Sequence, residues 1–127
     1  MHALLLVAHG SRRQQSNDEV TLLANALRDA CSQDYPIVHA GFLELASPSI
    51  PEGIERCVLD GATRITVLPY FLNSGRHVVE DVPQIVASAR NRHPGIEIAI
   101  APHLGASAMM VDLLIASAIS TPVTENV

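Results

Sequence analysis

Apolar and polar positions follow one another along this chain in four similar blocks. Each block begins with an apolar run of strand length and continues into a segment whose apolar residues recur at helical spacing. The runs predict strands at residues 3–8, 37–43, 64–70 and 96–101. The first run is continuously apolar, as in a parallel strand covered on both faces, whereas the last alternates and suits an edge. Strands that alternate with helices predict an α/β fold with a four-stranded parallel sheet and helices on both faces.

Cap signals predict where the first two helices begin and end. Ser16 and Glu19 have the spacing of a capping box, and the helix that follows should end before Tyr35. The second helix should begin near Pro51, with Ser47 or Ser49 as its cap, and Gly61 is the expected stop.

The two later helices differ in character. Asp81 and Pro83 mark the expected start of the third helix, after a loop that contains His77. The fourth, over residues 106–119, is apolar almost all round. A helix of this kind is buried, either in its own core or against another subunit.

Length and composition indicate one globular domain. We expect it over residues 1–120, with a frayed tail at 121–127. No apolar run reaches the ~20 residues that span a bilayer, and the first 20 residues do not resemble a signal peptide, so a cytoplasmic protein is expected. A net charge of −5 argues against nucleic-acid and membrane partners. Cys31 and Cys57 are expected to be reduced core thiols.

The absence of lysine excludes several kinds of chemistry. All eight basic residues are arginine, so the chain has no Walker-A lysine and no Schiff-base nucleophile. No two glycines stand in a G-x-G arrangement, which removes the dinucleotide fingerprint. No nucleotide cofactor is therefore expected.

Four chemically active side chains, His9, Glu44, His77 and His103, each follow a different predicted strand. The carboxyl ends of parallel strands lie at one edge of a sheet, so these side chains can converge. Two imidazoles and a carboxylate make a first-row metal site with open positions and accept Co²⁺, Fe²⁺ or Ni²⁺. The same groups accept protons near neutral pH.

Structural roles compete with these functional ones. A single histidine after a strand is more often a hydrogen-bonded structural residue, and Glu44 can simply complement the next helix N-terminus. His39 is expected to be a satisfied core or edge residue, whereas His2 and His93 should be exposed.

The residues that flank the two histidine loops also allow two interpretations. Arg12, Arg13 and Arg76 can bind carboxylates in bidentate fashion or remain solvated. Gly10 and Gly75 can permit close approach of a flat ligand, or serve a turn.

Four motifs, in this order, resemble the sirohydrochlorin chelatases, the ATP-independent enzymes that insert cobalt or iron in cobalamin and siroheme synthesis. The resemblance covers residues 3–105. The motifs are Leu6-Val7-Ala8-His9-Gly10-Ser11-Arg12, Gly41-Phe42-Leu43-Glu44-Leu45-Ala46-Ser47-Pro48-Ser49-Ile50, Leu68-Pro69-Tyr70-Phe71-Leu72 and Gly75-Arg76-His77-Val78-Val79-Glu80-Asp81-Val82-Pro83.

The resemblance implies a chelatase-like fold with His9 and His77 as metal ligands and Glu44 as their partner, all three in catalytic roles. It also implies a tetrapyrrole substrate, for which Arg12, Gly75 and Arg76 are candidate contacts. Longer members of the family carry two such domains in tandem, whereas 127 residues resembles the half-length form that works as a homodimer. Two alternatives remain: a metal or tetrapyrrole carrier without catalysis, and a phosphoryl-transfer enzyme that uses His9 beside Arg12 and Arg13.

Overall fold

The computed structural model describes residues 1–122 and contains a four-stranded parallel sheet. Its strands run in the order β2-β1-β3-β4, so that β1 and β3 are central and β4 is an edge, as its alternating pattern predicts. The strands are β1 (His2–Ala8), β2 (Ile37–Phe42), β3 (Arg64–Pro69) and β4 (Glu97–Ile100). Helices follow every strand, and the predicted α/β class is confirmed. They are α1 (Gln14–Ala30), α2 (Ile50–Leu59), α3 (Val82–Arg92) and α4 (Met110–Ile119), with a π-helical turn (His77–Asp81) before α3 and a 3₁₀ turn (Leu104–Ala106) before α4.

Both faces of β1 are buried, which explains its continuously apolar sequence. Leu5 and the residues that alternate with it pack against α2 and α3, and with them form the larger core cluster. Leu4 and Leu6 point to the opposite face and pack with Ala24 of α1. Successive side chains of a strand alternate between faces, so a strand between two helix layers must be apolar at every position.

The two cysteines are free thiols, as predicted. Cys57 is fully buried in the larger core cluster, and this burial raises the pKa of its thiol to about 12. Cys31 is half-buried at the end of α1, where its Sγ atom donates to the carbonyl of Leu27 at 2.8 Å. The raised pKa of Cys57 disfavours its reactive thiolate.

The cap of α2 was predicted better than that of α1. Ser49 accepts a hydrogen bond from the backbone N–H of Glu52, whose side chain accepts one from the backbone of Ser49, so this serine and not Ser47 is the cap. The capping box predicted at Ser16 is wrong: the cap position is Arg13, three residues earlier, and it makes no side-chain cap hydrogen bond.

The prediction that α4 is buried in its own core is wrong for this chain taken alone. No residue of α4 is buried, and its exposed large side chains are Val111, Leu113, Leu114, Ile115 and Ile119. The other possibility, burial against a second subunit, stays a prediction.

No helix within residues 1–122 combines the length and apolar character needed to cross a membrane. Most of the predicted frayed tail, residues 123–127, lies outside the described part, and the expected single domain over residues 1–120 stays a prediction.

Candidate functional site

Three of the predicted site residues follow three neighbouring strands. Glu44 comes after β2, His9 after β1 and His77 after β3, and these strands are adjacent in the sheet. The ladder between β1 and β2 continues past the strand ends, because the N–H of Leu43 donates to Ala8 and that of Glu44 donates to His9. The backbone therefore places Glu44 directly beside His9.

Gly10 makes this arrangement possible. Its φ is +95°, and a Cβ atom placed on it would lie 1.8 Å from the carbonyl oxygen of Glu44. The close approach expected of Gly10 therefore exists, but its partner is the backbone of Glu44. Leu45, the next residue, also has a positive φ, of 65°. Leucine rarely adopts this conformation, which is strained and found most often at functional sites.

Asn17 of α1 holds the other end of the His9 loop. Its Oδ1 atom accepts from the N–H of Ser11 at 2.9 Å, and its Nδ2 atom donates to the carbonyl of Ser11 at 2.8 Å. It is the one buried polar residue among residues 1–122. The sequence carried a signal for this role, since Asn17 stands at helical spacing from Val20 and Ala24 on the buried stripe of α1.

His77 lies on a helical turn and not in a loop, which corrects the prediction. It is the first residue of the π-helical turn, where the N–H of Val82 bonds to its carbonyl. Its Nδ1 atom is 2.7 Å from Oδ2 of Asp81, one turn along. In the sequence, Asp81 was interpreted only as a marker of the helix start, so its contact with a site histidine was missed.

The three side chains meet at the surface. His9 Nε2 lies 3.2 Å from Glu44 Oε2, and the exposed fractions of these side chains are 45% and 56%. The rings of His9 and His77 have centroids 4.6 Å apart and are tilted by 34°. Glu44, His77 and Asp81 line one pocket of about 230 Å³ together with Leu43, Gln84 and Ile85.

This arrangement can exchange protons and brings together imidazole and carboxylate groups, which are donor types that bind first-row divalent ions. The planes of the two imidazole rings are inclined to one another by 34°. Within residues 1–122, no three His, Cys, Asp or Glu side chains are grouped so as to hold a metal ion. An ion bound by these donors would therefore keep open coordination positions.

An apolar wall stands beside the histidines. Tyr70, Phe71, Leu72 and Leu104 line a pocket of about 250 Å³, and the ring of Phe71 stacks near His77 with centroids 6.3 Å apart. Gly105 closes this wall: its N–H donates to Phe71 at 2.9 Å, and a Cβ atom on it would lie 1.8 Å from the carbonyl oxygen of Leu72. Such a surface suits a flat, largely apolar ligand.

The other candidate residues are not drawn into this cluster. His103 lines a separate pocket with Leu68 and Pro102. Arg12 is exposed in the His9 loop, and the Nε atom of Arg76 lies 3.0 Å from Glu80. A Cβ atom on Gly75 would meet nothing within 4 Å, so no part of the described chain lies close to this glycine, and the approach of a flat ligand there stays a prediction.

The remaining histidines are structural. His39 contacts Asp60 at 2.6 Å, as expected of a satisfied residue. The prediction that His2 and His93 are exposed is wrong. His93 has a side chain only 16% exposed and lies 3.7 Å from Glu55. His2 packs on Tyr35, and desolvation by burial lowers the pKa of its imidazole, with the nearby charge of Arg64 as a second cause.

Comparison with known proteins agrees with the motifs and the fold. Residues 3–121 match the family CbiX. A sirohydrochlorin ferrochelatase of Priestia megaterium is 37% identical over 117 residues, which cover 91% of this chain and 42% of that protein. A sirohydrochlorin cobaltochelatase of Methanosarcina barkeri is 32% identical over 118 residues, which cover 87% of this chain and 89% of the relative.

The solved structure of the sirohydrochlorin chelatase SirB from Bacillus subtilis subspecies spizizenii, in complex with cobalt, has the same fold. It matches with a TM-score of 0.82 at 31% identity, over 93% of this chain and 50% of that one. The expected chelatase-like fold is thereby confirmed. The chain spans about half the length of the longer relatives and most of the length of the Methanosarcina barkeri protein.

Proposed function

The chain belongs to the CbiX family, and from this membership we propose that it inserts a divalent metal, Co²⁺ or Fe²⁺, into sirohydrochlorin without ATP. The observation that carries the proposal is the cluster of His9, Glu44 and His77 at the ends of three neighbouring strands. The Priestia megaterium relative is named for iron and the Methanosarcina barkeri relative for cobalt. Imidazole and carboxylate ligands accept either ion.

The metal is a substrate that must be held and then released. Neutral His77 has one ring nitrogen that Asp81 does not contact, and His9 and Glu44 lie beside it. A few weak ligands on one side of the ion leave its other positions open to the ring nitrogens of the tetrapyrrole. Four ring nitrogens bind the ion more tightly than two imidazoles do, so transfer needs no nucleotide.

Insertion also releases two protons from the pyrrole nitrogens. A carboxylate and an imidazole 3.2 Å apart, both open to solvent, can accept protons and pass them to water. We therefore assign His9, His77 and Glu44 both to metal holding and to catalysis, with Glu44 and His9 as the proton acceptors.

The tetrapyrrole would lie against the apolar wall of Tyr70, Phe71 and Leu72. Sirohydrochlorin is flat and carries carboxylate side chains at its rim, and guanidinium groups bind carboxylates well. Arg12 lies in the His9 loop and Arg76 directly precedes His77, and both are exposed and suit this role. Gly75 is also exposed and has no neighbour at its Cβ position, so a ring can approach the backbone there.

The working unit is proposed to be a homodimer. The chain covers half of the SirB structure, and a second copy of it would supply the other half of such a cleft. The apolar surface of α4 lies exposed in the single chain, and a second copy is the partner that would cover it. The cytoplasmic location expected from the sequence stays a prediction.

Incubation of the purified protein with sirohydrochlorin and Co²⁺ or Fe²⁺ tests the function. We expect the absorption spectrum to change to that of the metallated ring, over many equivalents of substrate per protein. A spectral change that stops at one equivalent would indicate the non-catalytic carrier. Hydrolysis of a phosphate ester without any insertion would instead support phosphoryl transfer by His9.

A further inference from the structure

Asp81 makes the shortest polar contact of the site. Its Oδ2 atom lies 2.7 Å from His77 Nδ1, and both side chains belong to the same π-helical turn. An ionised carboxylate can only accept hydrogen bonds, so Nδ1 must carry the proton in this contact. The proton of the neutral ring is thereby assigned to Nδ1, and the lone pair to Nε2.

His9, the other histidine of the site, contacts a carboxylate through a different ring nitrogen. His9 meets its carboxylate, Glu44, through Nε2 and not through Nδ1. The two rings lie with centroids 4.6 Å apart, yet they differ in which nitrogen a carboxylate contacts. His77 alone has an Nε2 atom that neither of these carboxylates contacts.

Asp81 stands four residues after His77, a spacing that brings two side chains together on one face of a helix. The turn that carries both residues is π-helical. In this turn the N–H of Val82 bonds to the carbonyl of His77, one residue further along than in an α-helix. Such wider turns inside helices are rare and occur often at functional sites. The side chain of Asp81 is 36% exposed and lines the same pocket as Glu44 and His77, so it belongs to the site and not to the core.

We infer that Asp81 is a positioning residue, which keeps His77 in the tautomer protonated at Nδ1 and so presents Nε2 as the nitrogen that holds the metal. The use of that nitrogen in metal insertion rests on the proposed function, whereas the tautomer does not. Carboxylates that orient a metal-binding histidine commonly contribute about 10- to 100-fold to metal affinity or activity.

The test compares wild-type protein with Asp81→Ala at about pH 8, where histidine is ordinarily neutral. Long-range ¹H–¹⁵N correlation spectra distinguish the two tautomers of each imidazole. We expect wild-type His77 to be protonated at Nδ1, and the variant to lose this preference. Co²⁺ affinity by calorimetry and the rate of insertion should both fall about 10- to 100-fold. Asp81→Glu, which keeps a carboxylate, should restore part of both.

Asp60→Ala is the matched control, because Asp60 contacts His39 at 2.6 Å outside the site. It should change the tautomer balance of His39 and leave Co²⁺ binding and insertion at wild-type values. Wild-type His77 protonated at Nε2 would overturn the inference, and that measurement needs no variant to fold. An Asp81→Ala protein with wild-type Co²⁺ affinity would overturn it as well. If wild-type protein inserts no metal, the proposed function fails, while the tautomer and Co²⁺ measurements still decide the role of Asp81.

Discussion

At the scale of single residues, His77 is held from several directions at once. Asp81 contacts its Nδ1 atom, and the ring centroids of His9 and Phe71 lie 4.6 and 6.3 Å from that of His77. Its side chain is nevertheless 42% exposed. A residue with this surrounding is fixed in orientation without being part of the core, as a ligand or proton acceptor should be.

His77→Ala should therefore impair chemistry far more than folding. The free energy of unfolding should fall by no more than about 1 kcal/mol, because a half-exposed contact with a carboxylate contributes little. The rate of metal insertion should fall by at least ~10²-fold, the usual cost of deleting a ligand or base. Denaturant titration and the absorption assay measure the two effects.

His9→Ala should behave in the same way, whereas His39→Ala should insert metal at the wild-type rate. A His77→Ala protein that unfolds would make this residue structural. Normal insertion by a folded variant would remove it from the mechanism.

Gly10 offers a test of the backbone contact between the His9 loop and the loop that carries Glu44. Gly10→Ala adds a Cβ atom 1.8 Å from the Glu44 carbonyl at a residue with φ of +95°, so the loop must move. The left-handed conformation alone costs about 1–2 kcal/mol for a residue with a side chain, and the clash adds to this. We expect reduced stability and slow insertion, because Glu44 is displaced from His9.

Gly95→Ala is the control for this change. A Cβ atom on Gly95 would meet nothing within 4 Å, and its φ does not lie in the left-handed region. Thermal unfolding should separate the two variants clearly. Equal stability of Gly10→Ala and wild type would show that the loop accommodates a side chain and that the contact does not set the geometry.

At the scale of elements, α2 shows how a short helix is fixed at its start. Ser49 Oγ accepts a hydrogen bond from the Glu52 N–H at 3.2 Å, and the Glu52 carboxylate accepts one from the Ser49 N–H at 2.8 Å. The bond from the Ser49 backbone is the largest cause that lowers the pKa of the Glu52 carboxyl. The start of α2 follows directly on the loop that carries Glu44, so a loose first turn would disturb the site indirectly.

Ser49→Ala should lower the free energy of unfolding by about 1 kcal/mol, the typical cost of losing a helix cap. Ser47→Ala is the matched control and should lie within about 0.5 kcal/mol of wild type, as exposed positions usually do. Chemical denaturation of both variants measures the difference. A larger loss for Ser47→Ala would mean that the other serine caps the helix.

The sequence predicted these elements well where the pattern was local. The four strands and the Gly61 stop depend on residues close together in the chain, and each was identified, whereas the cap of α2 was narrowed to Ser47 or Ser49. The start of α1 was not identified, because Ser16 satisfies a capping pattern that the loop around Ser11 overrides. Asn17 anchors that loop from inside the helix, and such a contact depends on the folded arrangement.

The residues of the site were predictable from the order of strands and helices, whereas their contacts were not. The order of strands and helices placed His9, Glu44 and His77 at one edge, and the structure brings them together. The contact between Asp81 and His77 has the i,i+4 spacing of a helical pair, and it was missed because His77 was placed in a loop before the helix. The orientation of the two rings was equally out of reach, since it is set by contacts across the sheet edge.

At the scale of the whole molecule, α4 is the feature that the single chain does not account for. Its large side chains are apolar and exposed over most of its length, an arrangement that costs free energy in water. We therefore expect light scattering to report about twice the chain mass of 13.6 kDa. Leu114→Asp should shift the protein towards the monomer, because a charge would have to be buried in the interface.

A dimer should also be the form that inserts metal, so Leu114→Asp should lose activity in proportion to the loss of dimer. Leu22→Asp on α1 is the matched control, since Leu22 is 66% exposed against 61% for Leu114. It should leave both mass and activity unchanged. A wild-type protein that is monomeric at the assay concentration and still inserts metal would show that one copy suffices, and that α4 covers some other surface.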